Sequence, residues 1–358
     1  MLLFLAALAQ AAAATLATLD LRWLVPFDAP PAAAPTYDAA TAYVPLRNGT
    51  LAAVDLERGT VRWRRDLATA IPPASGEGLV FVAADGRVEA LTAASGATRW
   101  RTSLPGRLVT VTWDTGWLLC STEDGDFAAL RASDGELVWR ATLGKAAVAP
   151  PAAALDRVYL ALDGAEVVSL DLATGTRGWT RTLSGVITGI SAVDRQLIVG
   201  TTDNAVFSLE LESGRQRWRW RVGGDASGRA SSDDRHIYFV ARDNVLRAVA
   251  RGGGTLRWTA ELSSRPLGGP QVFEGAVLVP LATSIAVFDP ATGKPLATIP
   301  ASGELSAAPH VRPMARPTGA RLVAMTRDGR LQGFGERFEA PPAALDALPG
   351  VAVPPEEK

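Results

Sequence analysis

One element, Gly-x-x-x-Trp, recurs six times at nearly constant spacing and constrains the fold more than any other feature of the chain. It stands at Gly59/Trp63, Gly96/Trp100, Gly135/Trp139, Gly175/Trp179, Gly214/Trp218 and Gly254/Trp258. Successive tryptophans are 37, 39, 40, 39 and 40 residues apart. A seventh copy, Gly293-Lys294-Pro295-Leu296-Ala297, keeps the glycine and loses the indole. A period of about 40 residues signals an array in which each unit buries its faces against its neighbours.

A second mark lies about ten residues before each of these glycines. It is a turn pair: Asn48-Gly49, Asp85-Gly86, Asp124-Gly125, Asp163-Gly164, Asp203-Asn204, Asp243-Asn244, Thr283-Ser284 in the seventh repeat and Asp328-Gly329 in an eighth. Such pairs tolerate positive φ at both central positions, as two-residue hairpins require. Short apolar runs flank them, for example residues 80–83 and 88–91. One repeat thus reads as four strands: a weak inner run (109–112), two central runs (117–121 and 127–130) and an outer strand through the tryptophan (Trp139). Four antiparallel strands in about 40 residues form a propeller blade. The central runs are apolar at almost every position, as strands covered on both faces must be.

The hairpins number eight, but the last of them, ending in residues 331–334, has no outer strand behind it. The missing strand stands at the other end of the chain, where residues 19–25 carry Trp23. The expected fold is all-β: an eight-bladed β-propeller of four-stranded antiparallel blades, closed by the N-terminal strand completing the last blade. Its expected extent is residues 15–338.

Residues 1–14, an apolar run passing into small residues, read as a secretory signal with cleavage after Ala9 or Ala14. Cleavage must precede Leu19 if the closing strand is to survive. Residues 339–358, rich in Pro and Ala, read as a disordered tail. The expected location is therefore periplasmic or otherwise envelope-associated. No run of about 18–20 apolar residues suggests a transmembrane segment, and no cysteine near the leader suggests a lipid anchor. A formal net charge of −1 gives no field that would draw the chain to nucleic acid.

The outer-strand element, best seen in Val54-Asp55-Leu56-Glu57-Arg58-Gly59-Thr60-Val61-Arg62-Trp63, resembles the PQQ-type propeller repeat, and the resemblance spans residues 19–335. It implies one of two kinds of protein. Quinoprotein dehydrogenases hold a quinone and Ca²⁺ in an eight-bladed ring and tend to carry adjacent cysteines. BamB-like proteins are non-enzymatic eight-bladed scaffolds that help β-barrel proteins enter the bacterial outer membrane. Length favours the second, and so does the single cysteine, Cys120. Two features depart from the BamB-like pattern: there is no lipobox cysteine, and the Arg-bearing partner loop implied near Leu183-Ser184-Gly185 is short and lacks its arginine.

Side chains capable of chemistry are scattered. His236 and His310 stand in different repeats with no cysteine or histidine nearby, so each reads as a surface or loop residue. Asp124-Gly125-Asp126 and Asp203-Asn204 offer oxygen ligands, yet they occupy hairpin turns where Asp, Asn and Gly are favoured anyway. Cys120, in an apolar run, reads as a small buried hydrophobe. Trp220, two residues beyond Trp218, reads as additional packing. Arg62 and Arg64 are expected to point away from Trp63 and to protect the outer strand from edge pairing. No catalytic, cofactor-binding or metal-binding residue is assigned. The expected function is a monomeric, exported scaffold for protein partners, with the β-barrel assembly machinery as the implied partner. The alternatives are a quinone-dependent dehydrogenase and a ligand or glycan sensor using the channel mouth.

Overall fold

The alternation of strand and turn signals is so regular that each repeat folds in the same way. A computed structural model describes residues 19–312 and 320–336; the expected signal (1–14) and tail (339–358), and most of the 312–320 loop, lie outside them. The described residues form eight four-stranded antiparallel sheets and no helix. Within each blade we letter the strands A to D from the channel to the rim. In blade 3 these are Leu108–Asp114, Trp117–Thr122, Asp126–Arg131 and Leu137–Thr142.

Blade 8 is built from both ends of the chain. Its A, B and C strands are His310–Val311, Leu322–Met325 and Arg330–Glu336, and its D strand is Leu19–Pro26. The closing pair runs from Leu19↔Glu336 to Pro26↔Arg330, with Trp23 opposite Gly333. This is the expected clasp.

Burial follows strand position. Strands B and C are buried at nearly every residue, as in Val80, Phe81 and Val82, whereas the D strands expose most of theirs. The hydrophobic core is accordingly divided into eight clusters, one between each pair of neighbouring blades. No blade has a core of its own, so stability resides in the joints.

Two local features differ from the sequence reading. Only Asp85-Gly86 has positive φ at both residues of its turn pair, and at Asp163 the left-handed pair is displaced to Gly164 and Ala165. At Gly49, Gly125, Asn204, Asn244 and Gly329 the second residue alone is left-handed. There, bonds such as Gly49 N–H to Leu46 O at 3.1 Å close a type I turn followed by a bulge, the three-residue alternative to the tight hairpin. The second feature is a register shift between strands C and D in all eight blades. In blade 1, Trp63 pairs with Ala53 and Val61 with Val54, so Arg62 is the extra residue of a bulge. Such bulges increase local twist and re-aim side chains. Here the bulge turns the indole toward the next blade.

Candidate functional site

Seven of the eight joints are made by an indole from one blade lying on a left-handed glycine of the next. Trp23 rests on Gly59, Trp63 on Gly96, Trp100 on Gly135, Trp139 on Gly175, Trp179 on Gly214, Trp218 on Gly254 and Trp258 on Gly293. The glycine serves two needs: its φ lies between +67° and +76°, and it leaves no Cβ between backbone and ring. The Nε1 groups of Trp63, Trp100, Trp139, Trp179 and Trp258 donate to turn carbonyls of the following blade at 2.7–3.0 Å. Tyr43, Phe81, Phe127, Tyr159 and Tyr238 tilt against the tryptophan of their own blade, with centroids 5.7–6.0 Å apart. Trp218 Nε1 has no partner, and Trp220 supplies the bond instead, to Gly254 O at 2.6 Å. Trp220 is partly buried in the joint between blades 5 and 6.

The joint between blades 7 and 8 is built differently, for a topological reason. The C–D turn of blade 8 is replaced by the two ends of the chain, so there is no turn glycine to receive an indole. Ala297 stands where the tryptophan would be. Arg321, only 4% exposed, bridges this joint by pairing with Glu274 of blade 7 and with Glu336 at 2.7 Å. It also lies 6.0 Å from the Phe273 ring centroid. Nothing in the repeat signals this residue.

The rim arginines do more than shield an edge. Arg62 pairs with Asp55 of its own blade at 2.5 Å. Arg65 reaches blade 2, where its Nη1 donates to Gly96 O at 2.5 Å, and it sits near Glu89 at 3.4 Å. Burial alone would raise the Glu89 carboxyl, but hydrogen bonds from Arg101 and Thr98, with the charges of Arg101 and Arg65, hold it below the usual carboxylate value.

The reactive side chains have ordinary partners. Asp126 accepts from Thr142 at 2.7 Å and pairs with Arg140, which keeps its carboxyl low. Cys120 is buried, and burial pushes its thiol up to about 12. Among the described residues no three His, Cys, Asp or Glu side chains group as a metal ion would need.

Both histidines are less exposed than a surface or loop position implies. The His236 side chain is 12% exposed at the start of a B strand, with Nδ1 3.1 Å from the Tyr238 hydroxyl. His310 lies on an inner strand and stacks on Tyr37 across the joint between blades 8 and 1, with centroids 4.4 Å apart and planes 2° from parallel. Burial, aided by Arg312, lowers the His310 pKa from 6.5 to about 4, while Asp38 opposes the shift. Folding therefore favours its neutral form. The resulting stability is complete above about pH 6.5 and is lost as pH falls toward 4, by no more than about 3 kcal/mol. Chemical denaturation across this window should show a declining limb that His310→Phe, which keeps the ring stack, flattens.

The loops lie on two faces. One face carries the A–B and C–D turns; the other carries the B–C hairpins and the connections between blades. Leu183-Ser184-Gly185 belongs to the second face, where Leu183 N–H donates to Ala165 O at 2.9 Å and Gly185 is left-handed. The next residue, Val186, is 52% exposed, and Val148 at the preceding connection is 38% exposed. No helix among the described residues is long and apolar enough to cross a membrane.

Eight four-stranded blades, seven of whose joints are indole-on-glycine contacts, define a PQQ-repeat β-propeller. The family described as outer membrane protein assembly factor BamB matches residues 47–188, 84–236, 163–294 and 242–337, together most of the ring, and the chain belongs to that family. Outer membrane protein assembly factor BamB of Yersinia pestis is 25% identical, over 68% of this chain and 70% of that protein. The protein of the same description from Nitrosomonas eutropha is 27% identical, over 68% of this chain and 64% of its own length. BamB from Moraxella catarrhalis superposes with a TM-score of 0.70 at 17% identity, covering 88% of this chain and 99% of that one. A quinohemoprotein alcohol dehydrogenase from Comamonas testosteroni gives the same TM-score, 0.70, at 15% identity, covering 95% and 80%. These two superpositions show a shared fold and nothing finer.

Proposed function

We propose that the chain is an exported, non-enzymatic scaffold that binds protein partners during the assembly of β-barrel proteins into the outer membrane. Family membership across nearly the whole ring carries this reading. The relatives are named as assembly factors of outer membrane proteins, and the ring offers two loop faces on a framework braced at every joint. The face bearing the inter-blade connections is the better docking surface. It holds the segment to which the sequence resemblance points, Leu183-Ser184-Gly185, with Val186 exposed beside it.

Affinity capture of the tagged chain from its native envelope tests this. Barrel-assembly proteins should be recovered with it, and Val186→Asp should reduce that recovery several-fold without altering the thermal unfolding of the ring. Recovery of no barrel-assembly protein counts against the function. Undiminished recovery with the aspartate variant counts against the face.

A further inference from the structure

Arginine is unevenly matched with acid around the rim of the ring. In blades 1 to 3 the D strands are Val61–Asp66, Thr98–Ser103 and Leu137–Thr142, and they carry six arginines. Five of these face a carboxylate: Arg62 meets Asp55, Arg64 meets Asp28, Arg65 and Arg101 share Glu89, and Arg140 meets Asp126. In blades 4 to 6 the D strands, Arg177–Thr182, Gln216–Arg221 and Leu256–Glu261, also carry six, with Glu261 as the single acid. Here Arg219 alone has an acidic partner, Asp203 at 3.4 Å, while Arg217 donates to Gly252 O at 3.1 Å. Among the described residues Arg177, Arg181, Arg221 and Arg257 make no side-chain hydrogen bond or ion pair. All six are exposed. The D strand of blade 7 has no charge, and that of blade 8 has one of each sign.

Protection of the strand edge does not account for this difference. An arginine paired with its own blade blocks edge-to-edge association as well as an unpaired one, and blades 1 to 3 use the paired form. The unpaired arginines of blades 4 to 6 add a positive potential that no neighbouring acid cancels. Arg219 and Arg221 lie two residues apart on one strand, about 7 Å, which is within the screening length of about 8–10 Å at moderate salt. Their fields therefore reinforce each other. The six side chains stand on an outward-curving rim, and none of them lines the cavities of about 160, 280 and 460 Å³ in the ring. A surface of this kind does not enclose a small anion. It suits a broad layer of anionic groups laid against it.

We propose that the rim of blades 4 to 6 docks against an anionic lipid bilayer, with the D strand of blade 5 at the centre of the contact. The guanidinium groups pair with lipid phosphates, whose oxygens match their forked N–H donors. Each arginine close to an anionic membrane surface contributes roughly a fivefold gain in affinity, so this contact is reversible and sensitive to salt. The rim is distinct from the loop faces assigned to protein partners, and its test does not depend on that assignment.

The probe is a vesicle of equal parts phosphatidylcholine and phosphatidylglycerol, with pure phosphatidylcholine vesicles as the comparison. Co-sedimentation of the full chain at about 50 mM salt should show binding to the anionic vesicles alone, and salt at about 0.5 M should release it. Arg177→Glu, Arg221→Glu and Arg257→Glu together should weaken this binding about tenfold or more. Thermal unfolding should stay unchanged, because none of the three side chains has a partner to lose. Arg47→Glu, Arg58→Glu and Arg99→Glu together make the same change in net charge on blades 1 and 2. Those three arginines are also exposed and without side-chain partners among the described residues, so this variant should keep most of the binding. Absence of binding to anionic vesicles by the wild-type chain overturns the proposal. Equal losses in the two triple variants overturn the assignment to blades 4 to 6. An acidic protein is the competing occupant: if the blade 4 to 6 variant loses a protein captured from the envelope but binds vesicles like the wild type, the lipid surface is overturned.

Discussion

A chain lacking residues 1–26 should lose cooperative thermal unfolding or melt at least about 15 °C below the intact ring, while a chain beginning at residue 15 should be unaffected. The reason is topological. Leu19–Pro26 is the only partner of Arg330–Glu336 on its outer side. Removing it leaves a long free edge and takes away the buried side chains of Leu19 and Val25. It also removes Trp23 from Gly59, so the joint between blades 8 and 1 loses its indole. In a ring whose core lies entirely between blades, one open joint exposes two faces at once. Differential scanning calorimetry and limited proteolysis provide the readout, and a peptide of residues 15–30 added in trans should restore part of the lost stability. If the truncated chain melts like the intact one, the clasp is not what closes the ring.

The second large effect is expected at Gly135, where an added methyl should cost about 2–6 kcal/mol. Its φ of +76° is strained for any L side chain, a cost of order 1–3 kcal/mol. A Cβ would also lie 2.5 Å from Trp100 Cε3 and 2.6 Å from Thr102 Oγ1. Both neighbours are held in place, since Trp100 Nε1 donates to Ala132 O at 3.0 Å and the Thr102 hydroxyl donates to Gly135 O at 2.7 Å. Overpacking at such a site typically adds another 1–3 kcal/mol. Gly78 serves as the control, because it has the same φ, +76°, with nothing within 4 Å of its would-be Cβ. Gly78→Ala should show the backbone cost alone. Urea unfolding of the two variants separates the terms, and equal losses would mean that the indole contact contributes nothing.

The ring was legible in the sequence because its joints repeat. The same glycine and tryptophan meet at each step of about 40 residues, so a contact between blades leaves a periodic trace. The clasp was legible by the same logic, as an outer strand displaced to the front of the chain. What happens once leaves no such trace. Arg321 meets Glu274 and Glu336 only because blade 8 has no C–D turn, and no spacing rule connects those three positions. His310 reaches Tyr37 across the closure of the ring. Simple alternation turned Arg64 away from the indole, where it lies 3.7 Å from Asp28, but it missed the bulge at Arg62, and the reach of Arg65, two residues beyond Trp63, into blade 2 went unread. The inner strands were hardest to read, because several of them are only two or three residues long.

The proposed role in outer-membrane assembly is tested most directly by measuring outer-membrane β-barrel proteins in the native host after removal of the gene. Quantitative proteomics of the isolated outer membrane should show their levels falling together. Expression of the intact chain should restore them, and the chain lacking residues 1–26 should not. Unchanged barrel-protein levels in the deletion strain would contradict the role assigned to this ring.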